Sequence, residues 1–274
     1  MAGIGDGRVL ALGDVDGLYY EYDPPSVRQQ TFVFVNALTG STATWQTDIG
    51  PTLRTAGYGT LAWNFRGQAG SPFTPGTPLD EALIVADLGR LIAAVAPPRP
   101  VLVGLSIGGL FAMRALLAGA PAEALVLINT LRRSGPRLDW INTAMARAAR
   151  VGGLRLVLDL YMPLLVGPER LAKIRGDFLG DEPYVPIDPA DGHFSLLAHA
   201  RSTDWEVPYE QISVPTLVVT GLQDRLFYDR DEVMALTARL PRAKTLEMAD
   251  AGHLIPAERP TALAAGLIAF AALD

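Results

Sequence analysis

A serine at position 106 lies in a sequence pattern that prepares a hydroxyl group for nucleophilic attack. Residues 104–108 read Gly-Leu-Ser-Ile-Gly, between an apolar run at 100–105 that predicts a strand and a run at 107–117 that predicts a helix. On such a sharp turn the small residues allow close backbone contacts, and the hydroxyl is presented at the carboxyl end of the strand. The first helical amide, that of Ile107, is free to stabilise an oxyanion. We predict that Ser106 is a nucleophile; the competing interpretation is a glycine-rich packing turn with an incidental serine.

A serine hydroxyl is a weak nucleophile that needs a neighbouring base, and the sequence offers three histidines for this role. His253 follows directly after the predicted strand at 243–248, so we expect it at the same sheet edge as Ser106. His193 and His199 belong to an irregular region and are more typical of histidines that form local hydrogen bonds. His253 is therefore the predicted base, while His193 remains a candidate for contacting a substrate.

The base in turn needs an acid to orient it. Asp224 follows the predicted strand at 215–220, again at a carboxyl end. Asp250 is closer to His253 in the sequence, but side chains three residues apart on a loop rarely face each other, so we interpret it as a solvated turn residue. Asp224 is the predicted acid.

The elements that must position these side chains alternate between strands and helices along the chain. Apolar or β-rich runs predict strands at 8–12, 18–22, 31–36, 60–65, 100–105, 124–129, 215–220 and 243–248. Helical periodicity predicts helices at 45–56, 80–96, 107–117, 229–240 and 261–273. The first two strands are expected to pair antiparallel. The rest of the alternation predicts an α/β fold, with a mostly parallel sheet and helices on both faces.

Between residues 131 and 209 the strand signal disappears. Helical pieces at 140–150, 154–160 and 168–179 are broken by glycines and prolines. This pattern predicts a helical insertion over one edge of the sheet. The core would then consist of residues 1–130 and 210–274.

The order Ser106, Asp224, His253, with Gly-Leu-Ser-Ile-Gly-Gly on a strand-turn-helix, resembles the α/β-hydrolase superfamily. The resemblance covers residues 31–129 and 212–270. Its further motifs are Asn-Phe-Arg-Gly-Gln-Ala-Gly-Ser at 64–71, similar to the family's Asp-x-Arg-Gly-x-Gly-x-Ser, the acid loop at 220–224, and the histidine segment at 251–253 with Glu-Arg-Pro at 258–260. The resemblance implies that the insertion at 131–209 is a cap over an active site.

This sequence departs from the family pattern at two positions. Where the family commonly has His-Gly after its third strand, residues 36–40 read Asn-Ala-Leu-Thr-Gly. By position, the amide of Leu38 would be the second oxyanion donor, and the Asn36 side chain could reshape that hole. The second departure, Asn64 in place of aspartate, is interpreted as a structural change in a loop.

The resemblance implies a serine hydrolase that cleaves an ester, thioester or related activated carbonyl through an acyl-enzyme. Residues 36–41 are also similar to a segment of homoserine acetyltransferases, so acyl transfer to an alcohol is an alternative. A ligand-binding receptor-like protein with little turnover, and a cofactor-free peroxidase or lyase activity, also remain open. A serine at 106 argues against dehalogenase and epoxide hydrolase chemistry, in which related proteins carry aspartate.

Substrate selection is expected to depend on the cap, which is rich in apolar residues. Such residues would suit a small hydrophobic substrate, although they are more often the core of the cap itself. Six arginines between 132 and 155 could steer an anionic substrate, but a solvated helix face is the favoured interpretation. The predicted substrate contacts are Asn36, Trp140, Tyr161, Leu165 and His193.

Composition excludes several other classes of protein. Hydrophobic residues make up 49% of the 274, and the formal net charge is −6, which does not favour binding to DNA or RNA. There is no cysteine, so disulfides, thiol catalysis and cysteine metal sites are excluded. The longest apolar stretches are too short to span a bilayer, and the first 13 residues lack the pattern of a secretory signal. We expect a cytoplasmic monomer or homodimer that acts on a small molecule and needs neither metal nor organic cofactor.

Overall fold

The computed structural model describes residues 7–272 and contains one eight-stranded sheet in that range. The strands are β1 Arg8–Ala11, β2 Gly17–Asp23, β3 Thr31–Val35, β4 Gly59–Trp63, β5 Pro100–Leu105, β6 Ala124–Ile128, β7 Thr216–Gly221 and β8 Ala243–Met248. Their order is β1-β2-β4-β3-β5-β6-β7-β8. The β1/β2 and β2/β4 pairs are antiparallel, and the other pairs are parallel. The predicted α/β sheet is confirmed.

Helices cover both faces of this sheet. They are α1 Ala43–Gln46, α2 Ile49–Thr55, α3 Glu81–Val95, α4 Ile107–Leu117, α5 Pro136–Leu165, α6 Pro168–Ile174, α7 Gly192–His199, α8 Arg230–Thr237, α9 Ile255–Glu258 and α10 Pro260–Ala271. None of the helices within residues 7–272 has the length and apolar character needed to cross a bilayer. The predicted core segments 1–130 and 210–274, and the helix predicted to reach 273, extend into residues 1–6 and 273–274, which lie outside the described residues.

The two faces of β3 show how the sheet divides the core. Side chains alternate between the two faces of a strand. Accordingly Val33 and Val35 pack in the cluster that contains α3, α4 and α8, whereas Phe32 and Phe34 pack in the cluster that contains α1, α2 and α10. A near-continuous apolar strand is therefore buried from both sides, as in parallel sheets generally.

One predicted helix is two helices in the structure. The helix expected at 45–56 is broken between α1 and α2, and Asp48 has non-helical backbone angles (φ −126°, ψ −38°). The cause is local, because Pro51 has no amide hydrogen to continue a helix and its ring clashes with the carbonyl four residues earlier. Proline is tolerated in the first turn of α2, where amides lack helical partners.

The segment predicted as an insertion lies between β6 and β7 and contains α5, α6 and α7. Helix α5 kinks at Gly152 and Gly153, where the sequence predicts a break; Gly153 has φ 70° and ψ −173°. A side chain at Gly153 would lie about 2.4 Å from the Val185 carbonyl oxygen. Helix α6 ends earlier than predicted, at Ile174, and continues as a short 3-10 turn to Asp177, while α7 was not predicted.

Candidate active site

Ser106 occupies a strained turn between β5 and α4. Its φ of 57° and ψ of −124° lie in a region that non-glycine residues rarely adopt. The turn is tightly enclosed: a Cβ on Gly108 would lie 2.3 Å from the Val35 carbonyl oxygen, and one on Gly104 would lie 2.3 Å from the Gly109 Cα. Glycine is therefore required at both flanking positions, and the strain is held in place by packing.

His253 and Asp224 are joined by a short hydrogen bond. The distance from His253 Nδ1 to Asp224 Oδ2 is 2.6 Å, and both side chains are almost completely buried. The other carboxylate oxygen, Oδ1, accepts the amides of Leu226 (3.0 Å) and Phe227 (2.9 Å). All of these contacts favour an ionised Asp224 that fixes the orientation of the imidazole.

The pKa of Asp224 results from opposing effects. Burial alone would raise it, but His253, the Phe227 amide and the positive charge of Arg132 hold the pKa below its usual value. Asp224 is therefore a carboxylate at neutral pH, able to stabilise a protonated imidazole.

Two residues to which the sequence assigned no role bind the backbone of the loop that carries His253. The Asn129 side chain donates to the carbonyls of Gly252 (3.0 Å) and His253 (2.9 Å). Glu258 accepts the amides of Gly252 and Leu254 at 3.0–3.2 Å. The available signals were the position of Asn129 at the end of a strand and the Glu-Arg-Pro motif, but neither indicates which amides these side chains bind.

Ser106 and His253 line the same cavity, of about 100 Å³, between the carboxyl edge of the sheet and the helices of segment 131–209. Within the described residues, the Ser106 hydroxyl is hydrogen-bonded to Arg132 Nη2 (3.2 Å) and not to His253. Most of the lining supplied by that segment is apolar: Leu138, Met145, Val157, Leu158, Tyr161, Leu165 and Leu197. The cavity therefore places an apolar group of a ligand next to a hydroxyl and an imidazole.

The two amides predicted as oxyanion donors also belong to residues at this cavity. Ile107 is the first residue of α4, where an amide has no helical acceptor. Leu38 follows β3, and within residues 7–272 its amide donates to no backbone carbonyl. The Gln68 amide group donates to the carbonyls of Ala37 and Leu38, both at 3.0 Å. Gln68 thus orients the loop that carries the Leu38 amide, a role that the sequence did not indicate.

Of the five predicted substrate contacts, the structure places Tyr161 and Leu165 at the cavity and three elsewhere. Trp140 lies on the outer surface of α5 with 78% of its area exposed. His193 lies beside Asp191 at the start of α7. These two residues were selected by type, and their distance from the cavity depends on packing that the sequence does not reveal.

Asn36, the third of these residues, joins neighbouring segments through buried side-chain hydrogen bonds. It is 1% exposed; its amide nitrogen donates to the Trp63 carbonyl (2.7 Å), and its oxygen accepts the Trp45 indole N–H (2.7 Å). Its amide also contacts Asn64 Oδ1, which accepts the Thr42 amide (2.8 Å). Both polar atoms of the Asn36 side chain are thus hydrogen-bonded inside the protein, and Asn36 is not among the residues that line the cavity.

The position of Arg132 also differs from the favoured prediction of a solvated helix face. Of the six arginines expected on a solvated helix face, this one is 5% exposed and lies before α5, at the cavity. Its guanidinium lies over the rings of Phe227 (4.3 Å) and Trp205 (4.8 Å). The sequence did not indicate this position, because a group of nearby arginines does not show which side chain turns towards the interior.

Comparison with known proteins places this geometry in a family. A model of the alpha/beta hydrolase fold matches residues 30–260. The chain belongs to the α/β-hydrolase family. Its mostly parallel sheet, with Ser106 between β5 and α4, is consistent with that assignment, and the match to this family supports hydrolysis as the class of reaction.

Individual relatives are distant. The chain is 29% identical over 223 residues to a Variovorax paradoxus protein that carries the provisional name of a carbamate hydrolase, covering 76% of this chain and 79% of the relative. It is 28% identical over 247 residues, 87% of this chain and 92% of the relative, to a Mycobacterium tuberculosis protein provisionally named a non-heme bromoperoxidase. An enol-lactonase structure from Burkholderia xenovorans superposes with a TM-score of 0.80 at 22% identity, covering 97% and 100% of the two chains.

Proposed function

We propose that this protein is a serine hydrolase that cleaves an ester, thioester or related activated carbonyl of a small, hydrophobic substrate through an acyl-enzyme. One observation carries the proposal: Ser106, held in a strained turn, shares a cavity with His253, and the Nδ1 of that histidine is bound to buried Asp224. This arrangement provides a nucleophile, a base and an orienting acid.

In the proposed reaction Ser106 Oγ forms a bond to the carbonyl carbon while His253 Nε2 takes the hydroxyl proton. The amides of Ile107 and Leu38 stabilise the oxyanion, each contributing roughly 3 to 4 kcal/mol. Collapse of this intermediate breaks the bond to the leaving group, which receives the proton from His253. Water then attacks the acyl-enzyme, gives a proton to His253, and the acid product leaves as the proton returns to Ser106.

We further propose that residues 131–209 form the cap of this active site, over a core of residues 1–130 and 210–274. The location of the segment between β6 and β7 and its share of the cavity lining support this division. In the proposed reaction the apolar helices exclude water from the acyl chain and limit its length.

A fluorophosphonate probe tests the nucleophile directly. The wild-type protein should be labelled and should hydrolyse p-nitrophenyl esters from acetate to octanoate, and both properties should be lost in Ser106→Ala and His253→Ala. Ser134→Ala, at an exposed serine before α5, is the matched control and should behave as wild type. Absence of labelling and turnover in the wild type would contradict the proposal. Product analysis with and without an alcohol acceptor separates hydrolysis from acyl transfer.

A further inference from the structure

The Arg132 side chain presents a positive charge at the cavity with no described carboxylate in direct contact. Its Nε donates to the Thr130 carbonyl (3.2 Å), and Nη2 donates to the Asn129 carbonyl (2.6 Å) and to Ser106 Oγ (3.2 Å). Among residues 7–272 no carboxylate lies within ion-pair distance of this guanidinium, and Nη1 has no hydrogen-bond partner. Asp224 and Glu232 act on this buried charge only from beyond ion-pair distance, so an anion that contacts the guanidinium directly would still stabilise it.

The surroundings of Arg132 keep it charged and hold it in place. Burial lowers its pKa to about 10, against the opposing effect of Asp224 and Glu232, so it is protonated at neutral pH. The Phe227 and Trp205 rings and the two backbone carbonyls restrict its orientation. Nε and one hydrogen of Nη2 donate to those carbonyls, and the second hydrogen of Nη2 donates to Ser106 Oγ. Nη1 is therefore left for a ligand, and a carboxylate that binds both Nη1 and Nη2 replaces the contact between Nη2 and Ser106. The end of a guanidinium formed by these two nitrogens matches the two oxygens of a carboxylate.

From this geometry we infer that the substrate carries a free carboxylate, bound by Arg132, one to three carbons from the scissile carbonyl. The spacing follows from the distance of 3.2 Å between Nη2 and the Ser106 hydroxyl. The carbonyl carbon must lie roughly 3 Å from that hydroxyl before attack, so a carboxylate on the guanidinium can be only a few bonds away. The inference rests on the proposed function and narrows the substrate class to monoesters, thioesters or lactones of short acids with a second, charged carboxylate.

A pair of esters with nearly equal shape isolates the charge. Monoethyl succinate carries a carboxylate where ethyl 4-methylpentanoate carries an isopropyl group of similar size. With the wild-type protein, kcat/KM for the charged ester should exceed that for the neutral ester at least 10-fold. Arg132→Met should lower the ratio of kcat/KM for monoethyl succinate to that for the neutral ester more than 10-fold, because a general effect on Ser106 or Asp224 acts on both esters equally. Arg132→Lys, which keeps the charge without the fork, should give a ratio between those of the wild type and Arg132→Met.

Arg133→Met is the matched control, because Arg133 is the adjacent arginine and is exposed; it should retain the wild-type preference. A wild-type enzyme that favours the neutral ester would overturn the inference, and this result needs no variant. An equal loss for both esters in a folded Arg132→Met would also overturn it, since Arg132 would then act on the reaction or the loop and not on the carboxylate.

A binding measurement separates this inference from the proposed function. Calorimetric titration of Ser106→Ala with succinate requires no catalysis. Binding that is lost in Ser106→Ala/Arg132→Met but kept in Ser106→Ala/Arg133→Met would support the carboxylate site even if no ester is hydrolysed. Failure of succinate, malonate and glutarate to bind Ser106→Ala would overturn the site while leaving fluorophosphonate labelling as evidence for the nucleophile.

Discussion

Replacing Asp224 with asparagine should reduce kcat by about 10⁴-fold, and the reason can be derived from the hydrogen bonds of this carboxylate. Oδ1 accepts two backbone amides, from Leu226 and Phe227, and Oδ2 binds His253 Nδ1. The asparagine oxygen must take the position that accepts two amides, because an NH₂ group there would face two donors. Its NH₂ group therefore faces the imidazole.

An NH₂ group facing Nδ1 reverses the tautomer of His253. Nδ1 must then accept, so Nε2 carries the proton and cannot take one from Ser106. The opposite orientation of the amide loses two hydrogen bonds at about 1 kcal/mol or more each and adds donor repulsion, so at most a few per cent of molecules adopt it. Even these molecules lack the negative charge that stabilises the protonated imidazole. A change of this kind in a catalytic triad lowers kcat about 10⁴-fold, which corresponds to roughly 5.5 kcal/mol of transition-state stabilisation.

The assay is steady-state hydrolysis of p-nitrophenyl acetate at pH 7, with circular dichroism to confirm the fold. Asp250→Asn is the matched control, since Asp250 is close to His253 in the sequence but is exposed and bound to Arg259 Nε (2.7 Å). This control should retain wild-type kcat. A kcat for Asp224→Asn within 10-fold of the wild type would refute the assigned acid and the tautomer argument.

Three further outcomes are expected. Asn36→Leu should lower the free energy of unfolding by about 1 to 3 kcal/mol, because the buried Trp45 indole loses its acceptor. Urea unfolding tests this prediction, and a loss under about 0.5 kcal/mol would contradict a stabilising role for the Asn36 hydrogen bonds. The pKa of Asp224 is held below its usual value, so its carboxylate stabilises the fold above the unfolded pKa of about 3.9, and this contribution is lost as the pH falls through the lower folded pKa. The stability difference between wild type and Asp224→Asn should therefore shrink between pH 7 and pH 2.5, and a difference independent of pH would rule this out. Met145→Trp should fill part of the cavity and lower the octanoate-to-acetate ratio of kcat/KM about 10-fold. Trp140→Ala, outside the cavity, should leave that ratio unchanged. Equal effects of Met145→Trp on both esters would contradict binding of the acyl chain in this cavity.

Much of the fold was predictable because its signals are local. Short, uniformly apolar runs such as 100–105 and 124–129 are typical of inner strands of a covered sheet, and the structure has strands at 100–105 and 124–128. The helix at 45–56 was predicted as continuous although the effect of Pro51 is also local. Helix α7 was missed because its eight residues carry little periodicity of their own.

The sequence by itself determined which strand ends carry Ser106, Asp224 and His253, because in a parallel sheet the residues that follow successive strands lie at one edge. Only the tertiary structure decided which polar side chains turn inward between these strands. Asn36 binds residues of a neighbouring strand and of a helix, and Arg132 reaches Ser106 from a loop 26 positions along the chain. Hydrogen bonds of this kind join segments that are brought together only by packing. The hydrophobic periodicity that predicts strands and helices, in contrast, depends on residues that are close in the sequence.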